Sequence, residues 1–412
     1  MQQANKLPKF RWAILLIVWM SLLVAFMARL GIGPLAPFLK ESLDISNAQV
    51  GLLVTAAGIT YVPTIMFSGW LVDWIGVRWV LVSGTLIGGL CIMAIFFVPY
   101  YNAMLIIMAL SGLGFGCIMP SANKALLLWF PARERATAMG LNQSAVNVSG
   151  IIGASLLPVA SLSLGWRYGF LFMGLGALVI CLCCGLVYRN PPNVDALKAT
   201  GSVPGGHSAK ASSMRLALEL FKSRDIWMVC LSGFFITVLE FAAILNLVTY
   251  LTEELLFGVV AAGGLLAITE GAGAFGKPIS GLISDRLLGR RRKIVFLVMG
   301  ALATVTCLLL AAAGRHLGWF IYPVLIILGA VAIGWGGLYS ALVGELAGKE
   351  SAGKALGFAG GILVLGVMAG PPLFGHIVDI SGSFQLAWFA MALCGVLFMV
   401  FMSLVREHKR RL

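Results

Sequence analysis

Five ionisable side chains lie within the long apolar stretches of this sequence: Arg29, Lys124, Glu240, Glu270 and Lys277. An ionised group inside a membrane-spanning helix is costly, and it usually marks a pathway or a charged partner. Three cations against two carboxylates leave one positive charge unmatched. An anionic ligand would neutralise that charge, and a proton on either glutamate would increase the attraction for the anion. The five groups therefore predict a site for a small anion coupled to a proton.

Arg29 is the first candidate to bind the anion, because its planar guanidinium presents paired donors to a carboxylate or phosphate. The alternative is a structural cation satisfied by helix carbonyls. Lys124 and Lys277 are expected to assist Arg29. Two alternatives remain open at this point. The long stem of Lys124 can carry its ammonium to the membrane surface, and Lys277 can instead brace the loop around Asp285.

Glu240 and Glu270 are the candidate proton-coupling groups, since a carboxylate can exchange a proton with its surroundings. Glu270 and Lys277 lie seven residues apart, which places them two turns apart on one helix face. For Glu240 the alternative is an ion pair with a neighbouring helix. Uncharged polar residues are expected to complete the substrate site: Tyr61, Asn123, Gln143, Asn147 and Tyr339. Asn142 and Trp335 could line the same cavity. For these two residues, as for Tyr61, Gln143, Asn147 and Tyr339, the alternative is that the side chain only joins helices.

The composition indicates that membrane helices position these groups. Of 412 residues, 60% are hydrophobic and 11% are charged, and the mean hydropathy is +0.98. A soluble domain carries about 25% charged residues. A soluble protein is therefore excluded, and with it a nucleic-acid binder, a small secreted disulfide scaffold and a disordered chain. The eight cysteines fall in apolar segments without metal-ligand spacing, so we interpret them as packing thiols and expect neither metal nor cofactor.

Twelve apolar runs approach or exceed the roughly 20 residues that a membrane-spanning helix needs. One long polar interval, 189–224, follows the sixth run, so we expect an all-α membrane protein with two six-helix bundles at 1–188 and 225–412, joined by a cytoplasmic loop. The first run is too long for a signal-peptide core, and we interpret it as a retained helix. The runs lie at approximately 12–38, 48–70, 79–98, 103–130, 137–163, 168–188, 226–251, 260–283, 294–314, 320–344, 355–378 and 385–405.

The basic residues predict the orientation of the chain. If both termini are cytoplasmic, Lys40, Arg167 and Arg315 lie outside, while Arg29, Lys124 and Lys277 lie within helices. The other 23 of the 29 Lys and Arg residues are then on the cytoplasmic side. Because cytoplasmic loops carry an excess of Lys and Arg, the reverse orientation is disfavoured.

A similar loop occurs in the two halves, after the second and the eighth apolar run. It runs from Gly69 through Asp73 and Gly76 to Arg78, and again from Gly281 through Asp285 and Gly289 to Arg292. Because of this repeated loop, the chain resembles the major facilitator superfamily. The resemblance covers essentially the whole length of the chain. The resemblance implies a carrier built from two pseudo-symmetric six-helix bundles. It also implies a gating role for Asp73, Arg78, Arg135, Asp285 and Arg286, the alternative being a tight turn with a surface ion pair.

A narrower resemblance covers mainly the N-terminal half. The residues that carry it are Arg29 with Pro37, Pro120-Ser-Ala-Asn123-Lys124, Trp129-Phe130-Pro131 with Glu134-Arg135, and Gly165-Trp166-Arg167. This half is similar to the anion:cation symporters, which carry sugar acids and other organic anions. That family commonly has carboxylates where this chain has Ala28 and Phe115, so proton coupling is expected to have moved to Glu240 or Glu270. Glu270 and Lys277-Pro278 also show a weaker similarity to monocarboxylate carriers.

These observations predict a secondary active transporter that works by alternating access in the cell inner membrane. Its cargo is expected to be a small organic anion bearing a carboxylate, carried across the membrane together with a proton by a functional monomer. The alternative is a proton-coupled exporter of drugs or metabolites, in which Glu240 and Glu270 attract cationic cargo. An enzyme is not expected, because the apolar runs contain no nucleophile–base pair and no phosphate-binding loop.

Overall fold

The computed structural model describes residues 7–189, 223–288, 291–348 and 351–406, and all regular secondary structure in these ranges is helical. Within them, twelve helical segments are long and apolar enough to cross a membrane. The predicted all-α architecture with twelve spans is therefore confirmed. Most of the central loop expected at 189–224, and the Gly289-Arg290 pair of the second repeated loop, lie outside the described residues.

The first six spans contain eight helices. Two of these spans are interrupted: α1 and α2 form the first, and α5 and α6 form the fourth. The helices are α1 (Leu7–Leu30), α2 (Ile32–Leu43), α3 (Asn47–Ile75), α4 (Val77–Ala94), α5 (Tyr101–Phe115), α6 (Ile118–Trp129), α7 (Ala132–Leu164) and α8 (Trp166–Val187).

The last six spans contain seven α-helices, because α12 and α13 together form the tenth span. A π-helical turn extends each of the first two helices of this half, at Tyr250–Glu254 and Ile283–Leu287. The helices are α9 (Arg224–Thr249), α10 (Val259–Leu282), α11 (Arg292–Ala313), α12 (Ile321–Ala332), α13 (Gly336–Ala347), α14 (Ala352–Ser381) and α15 (Phe384–Ser403).

Two glycines permit sharp reversals between consecutive spans. Gly76 separates α3 from α4 with φ 89°, and Gly165 separates α7 from α8 with φ 97°. Side chains other than glycine rarely adopt such positive φ values. Gly76 belongs to the repeated loop and Gly165 to the Gly165-Trp166-Arg167 pattern. In both motifs the glycine therefore has a backbone role that is independent of any ligand.

The chain forms two compact units. The first contains the described residues 7–45 and 53–189, and the second contains 46–52 and the described residues from 223 onwards. Within the second unit, the Asp379 carboxylate accepts hydrogen bonds from the backbone N–H groups of Asn47 at 3.0 Å and Ala48 at 2.8 Å. A carboxylate at this position satisfies the exposed donors at the start of α3 and complements the helix dipole.

Close helix packing in each unit depends on the absence of a side chain. In the first unit, Gly112 of α5 lies against the Ala57 carbonyl and the Thr60 hydroxyl of α3. In the second, Gly329 of α12 lies against the backbone of Thr269 in α10. Membrane helices commonly pack through such small residues because these allow the backbones to approach closely. The helices that carry the candidate site residues are thereby held at short range.

Candidate functional site

A cavity lies within the first unit and contains Arg29. Its empty volume is about 470 Å³, a figure that includes the open solvent at its mouth. Helices α1, α3 and α5 form its wall. The lining residues are Leu22, Ala25, Phe26, Ala28, Arg29, Ala57, Tyr61, Met108, Ser111, Gly112 and Phe115.

The polar part of this cavity is small. The Arg29 guanidinium lies 5.8 Å from the centre of the Tyr61 ring, within the range of a cation–π interaction. This contact orients the guanidinium, and Tyr61 adds a phenolic hydroxyl to the lining. The third polar residue, Ser111, donates its hydroxyl proton to the Met108 carbonyl of its own helix at 2.7 Å. The cavity therefore combines one cation with an otherwise largely apolar wall.

Ala28 and Phe115 both line this cavity. They are the two positions at which the sequence departs from the carboxylates of the anion:cation symporters. Because neither position carries a carboxylate, no acidic side chain occurs among the cavity-lining residues. The two departures thus change the same wall, and they leave it more apolar and more positive.

Lys124 is held away from this lining by an ion pair. Its ammonium binds the Asp73 carboxylate at the end of α3 and also donates to the Val72 carbonyl at 3.3 Å. The Asp73 side chain is 71% exposed and that of Lys124 is 33% exposed. Lys124 thus joins the repeated loop to α6, and the cavity in the first unit is built without it.

The remaining polar candidates of the first unit also fall outside the cavity lining. Asn123 is partly buried, Gln143 is exposed and Asn147 is buried. Gln143 and Asn147 lie one turn apart on α7, yet they differ in burial. Asn142 is fully buried, and neither of its amide heavy atoms has a hydrogen-bond partner within the described part of the chain.

A second constellation, in the second unit, contains both candidate glutamates. Glu240 of α9 accepts a hydrogen bond of 3.0 Å from the indole N–H of Trp335, which lies between α12 and α13. Glu270 of α10 is only 2% exposed, and its Oε1 has no hydrogen-bond partner among the described residues. Lys277, two turns along α10, interacts electrostatically with both carboxylates.

A smaller cavity adjoins this acidic cluster. It has an empty volume of about 220 Å³ and is lined by Glu240 and Thr269 together with apolar residues of α9 and α12. A carboxylate that faces a cavity can exchange a proton when water or a ligand reaches it. In the described part of the second unit, Lys277 and the two glutamates together have a formal charge of −1 when all three are ionised.

Tyr339 has a packing role in the second unit. It is 2% exposed, and its hydroxyl donates to the Val229 carbonyl of α9 at 3.3 Å. Its ring meets that of Trp335 edge to face, with centroids 5.1 Å apart. Tyr339 thereby supports the residue that contacts Glu240, and it is absent from the lining of both cavities described above.

The predicted gating residues of the first unit lie near helix ends. Asp73 binds Lys124, as described above. Arg78 donates to the Gly185 carbonyl of α8, and its guanidinium lies 5.6 Å from the Trp79 ring. The Nε of Arg135 donates to the Phe130 carbonyl at 3.0 Å. These contacts join neighbouring helices of one unit, and they provide the local order on which a gate would depend.

In the second unit, Arg292 interacts with two carboxylates, although it was not among the predicted gating residues. Arg292 forms two parallel bonds with Glu345, at 2.8 and 2.7 Å, and lies 3.8 Å from the Asp285 carboxylate. Its side chain is 10% exposed, whereas that of Asp285 is 53% exposed. Arg286 is exposed. Sequence reasoning named Arg286 as a residue of the repeated loop, but Arg292 reaches the carboxylates from the first turn of α11.

Several cavity residues carried no polar signal in the sequence. Leu22, Phe26 and Met108 are ordinary apolar residues of membrane helices. One available signal was the pair of departures at Ala28 and Phe115, the positions at which the similar family commonly has carboxylates. Trp335 carried a weaker signal, as an aromatic residue with a polar donor in a glycine-rich stretch.

Comparison with known proteins agrees with this architecture. The family model described as Major Facilitator Superfamily matches residues 18–362. The probable sulfoacetate transporter SauU of Cupriavidus necator is 26% identical over 407 residues, covering 94% of this chain and 92% of SauU. The probable galactarate/D-glucarate transporter GudP of Bacillus subtilis is 24% identical over 410 residues, covering 93% of this chain and 89% of GudP.

A solved structure extends the comparison to the fold. The crystal structure of a D-xylose-proton symporter aligns with a TM-score of 0.79 at 17% identity, covering 97% of this chain and 98% of the symporter. At that identity the likeness concerns the fold alone. The family model, by contrast, matches most of the sequence, and the named relatives are transporters rather than enzymes. The chain therefore belongs to the Major Facilitator Superfamily.

Proposed function

We propose that this protein is a secondary active transporter of a small organic anion bearing a carboxylate or similar acidic group. Arg29 in the first-unit cavity carries the proposal, because it is a cation in a wall without carboxylates. A guanidinium in such a wall has a strong electrostatic preference for an anion over a cation. The names of the relatives SauU and GudP, which refer to sulfoacetate and to galactarate and D-glucarate, support an organic acid as cargo.

The proposed mechanism is alternating access with proton symport, with Glu240 and Glu270 as the proton-coupling residues. Both carboxylates interact with Lys277, and Glu240 faces a cavity. Protonation of either glutamate removes a negative charge from the cluster, so each bound proton changes the net charge around Lys277. We propose that the protein acts as a monomer in the inner membrane. The distribution of its Lys and Arg residues supports cytoplasmic positions for both termini.

The first test measures ligand binding to the purified protein. We expect acetate, pyruvate, sulfoacetate, D-glucarate or galacturonate to raise the unfolding temperature, because a ligand that binds only the folded state stabilises it. The Arg29→Gln variant should bind the stabilising acid at least tenfold more weakly than the parent does, since hydrogen bonds to a charged group contribute about 1.5–3 kcal/mol. Arg29→Lys should bind with intermediate affinity, because lysine keeps the charge and loses the planar fork.

The matched control is Arg167→Gln, which removes another arginine of the first unit. Arg167 lies 4.6 Å from the Trp166 ring and does not line the cavity, so this variant should bind the acid as the parent does. Equal binding by the parent and Arg29→Gln would contradict the anion site. Uptake of tetraphenylphosphonium that depends on Glu270, with no response to any of the acids, would instead support the exporter of cationic cargo.

A further inference from the structure

The wall of the first-unit cavity restricts the chemistry of the cargo. Eight of its eleven lining residues are apolar or glycine, and only Arg29, Tyr61 and Ser111 have polar side chains. Leu22 and Met108 are each 1% exposed, so they form a dense apolar surface behind the cavity. An apolar body desolvated against this surface gains from the hydrophobic effect, whereas a hydroxyl that loses its water there without a partner is penalised.

The available hydrogen-bonding groups are few. Ser111 has already given its proton to the Met108 carbonyl of its own helix. The other side-chain donors of the lining are the guanidinium of Arg29 and the phenol of Tyr61, and both lie at one place in the cavity because the cation contacts the ring. An acidic group bound there would engage both. The rest of the cargo then faces apolar side chains that offer it no hydrogen bonds.

The charge of the wall also limits the charge of the cargo. One cation and no carboxylate line the cavity. Arg29 therefore compensates one anionic group of the cargo. A second anionic group would lie against apolar, low-dielectric surroundings with no cation of the lining to pair with it. An ion buried without a partner is strongly disfavoured.

From this arrangement we infer that the cargo is a monoanion with a compact apolar body, as opposed to a polyhydroxylated acid or a dianion. The inference rests on the proposed function, and it narrows the cargo class at the same site. Its chemical basis is the contrast between a single Arg29–Tyr61 contact point and the apolar remainder of the lining. A short aliphatic or aromatic carboxylate or sulfonate fits that description.

Four six-carbon acids test separately whether the cargo must be apolar and whether it must carry a single negative charge. Hexanoate is an apolar monoanion, gluconate is its polyhydroxylated counterpart, adipate is an apolar dianion and D-glucarate is a polyhydroxylated dianion. All four are ionised at pH 7. Dissociation constants come from thermal unfolding of the detergent-solubilised full chain titrated with each acid. Hexanoate should bind at least tenfold more tightly than gluconate and at least tenfold more tightly than adipate.

Each outcome of the titration is decisive. If gluconate, adipate or D-glucarate binds as tightly as hexanoate and that binding is lost in Arg29→Gln, the cargo class inferred here is wrong while the proposed anion site stands. If none of the four acids, nor acetate, pyruvate or sulfoacetate, gives an effect that depends on Arg29, the proposed function itself fails. The two failures are thus distinguishable in one data set.

Two variants test whether the cavity wall is the origin of the preference. Phe26→Tyr and Ala25→Ser each add one hydroxyl to the lining and change its volume little. Each should lower the ratio of gluconate to hexanoate dissociation constants at least threefold. Phe172→Tyr makes the same change at an α8 side chain that is 51% exposed and outside the cavity, and it should leave the ratio unchanged. An unaltered ratio in both lining variants would refute the assignment to this wall.

Discussion

The ion pair between Lys124 and Asp73 alters the charge balance within the helices. The sequence suggested three cations against two carboxylates, but Asp73 compensates Lys124 at a helix end. The groups that remain are Arg29 in the first unit and Lys277 with two glutamates in the second. The argument for an anion therefore depends on where Arg29 lies, in a cavity wall without carboxylates, and no longer on a surplus summed over the chain.

Residue types were predictable from the sequence, but several residue partners were not. Arg29, Glu240 and Glu270 were recognisable because a charge in an apolar run is conspicuous. The contact of Lys124 with Asp73 joins residues 51 positions apart, and that of Trp335 with Glu240 joins residues 95 apart. Helical periodicity relates residues only within one helix, so a single sequence contains no signal for such pairs.

The first residue-scale prediction concerns proton coupling. In proteoliposomes, Glu270→Gln should reduce accumulation of the transported acid driven by an acidic outside pH at least tenfold, because an amide cannot carry the proton. Counterflow exchange at equal pH should persist, since that reaction needs no net proton movement. Comparing the two assays on the same vesicles separates loss of coupling from loss of fold.

Glu253→Gln serves as the control for this experiment, because Glu253 is an exposed carboxylate at the end of the seventh span. It should leave both assays unchanged. If Glu270→Gln retains full pH-driven accumulation, Glu270 is not a proton carrier, and the same pair of assays on Glu240→Gln then decides whether Glu240 has that role.

Helix interruptions were the main feature at the scale of elements that the sequence did not predict. The twelve spans followed from the length of the apolar runs, but the first, fourth and tenth spans each contain a break. The runs are apolar throughout, so hydropathy does not register these breaks. Each break adjoins a residue of the two constellations, namely Arg29, Phe115 and Trp335. Irregular backbone at membrane depth is tolerated where it lines a cavity or is buried in protein.

An element-scale prediction tests the contact between α5 and α3. A methyl group at Gly112 would collide with the Ala57 carbonyl, which is backbone and cannot rotate away. We expect Gly112→Ala to destabilise the protein by about 1–3 kcal/mol, the usual cost of overpacking. Because Ala57 and Gly112 both line the first-unit cavity, binding of the acid should weaken as well.

Gly176→Ala is the matched control. Gly176 lies inside α8, and a Cβ there meets nothing within 4 Å. This variant should be neutral or slightly more stable, since alanine favours a helix over glycine. Thermal unfolding monitored by circular dichroism compares the two variants directly. Equal unfolding temperatures for both would show that the α3–α5 contact is not tightly packed.

The Arg292–Glu345 pair gives a second prediction at this scale. Arg292→Met removes two charge-assisted hydrogen bonds that join α11 to α13, and it should lower stability by about 1–3 kcal/mol. Asp285→Asn removes a longer and half-exposed contact to the same arginine, and its cost should stay below about 1 kcal/mol. Unfolding temperatures in detergent compare the stability losses of the two variants. A larger loss in Asp285→Asn than in Arg292→Met would show that Asp285, and not Glu345, is the main partner of Arg292.

At the scale of the whole molecule, the two units differ in the sign of their candidate sites. The cavity of the first unit is lined by one cation, whereas the cluster of the second has two carboxylates around one lysine. A carrier of an anion and a proton needs both kinds of group. The candidate sites of the two units thus differ in charge, within the duplicated six-helix plan that the sequence predicts.

The orientation of the chain is testable by labelling single introduced cysteines in intact cells. Glu41→Cys, at the exposed end of α2, should react with a membrane-impermeant maleimide, because the predicted topology places it outside. Arg286→Cys, in an exposed turn after α10, should react only after the cells are permeabilised. The unmodified protein provides the background from its eight cysteines. Labelling of Arg286→Cys in intact cells would contradict the predicted orientation.

The hydrogen bond from the Trp335 indole to Glu240 also has an optical consequence. Indole fluorescence responds to a charge placed at its N–H, so the emission of this one side chain should shift when Glu240 gains or loses its proton. The chain has eleven tryptophans, and the spectrum of a Trp335→Phe variant therefore has to be subtracted. The resulting difference spectrum, followed as a function of pH, would report the protonation of Glu240 without any knowledge of the cargo.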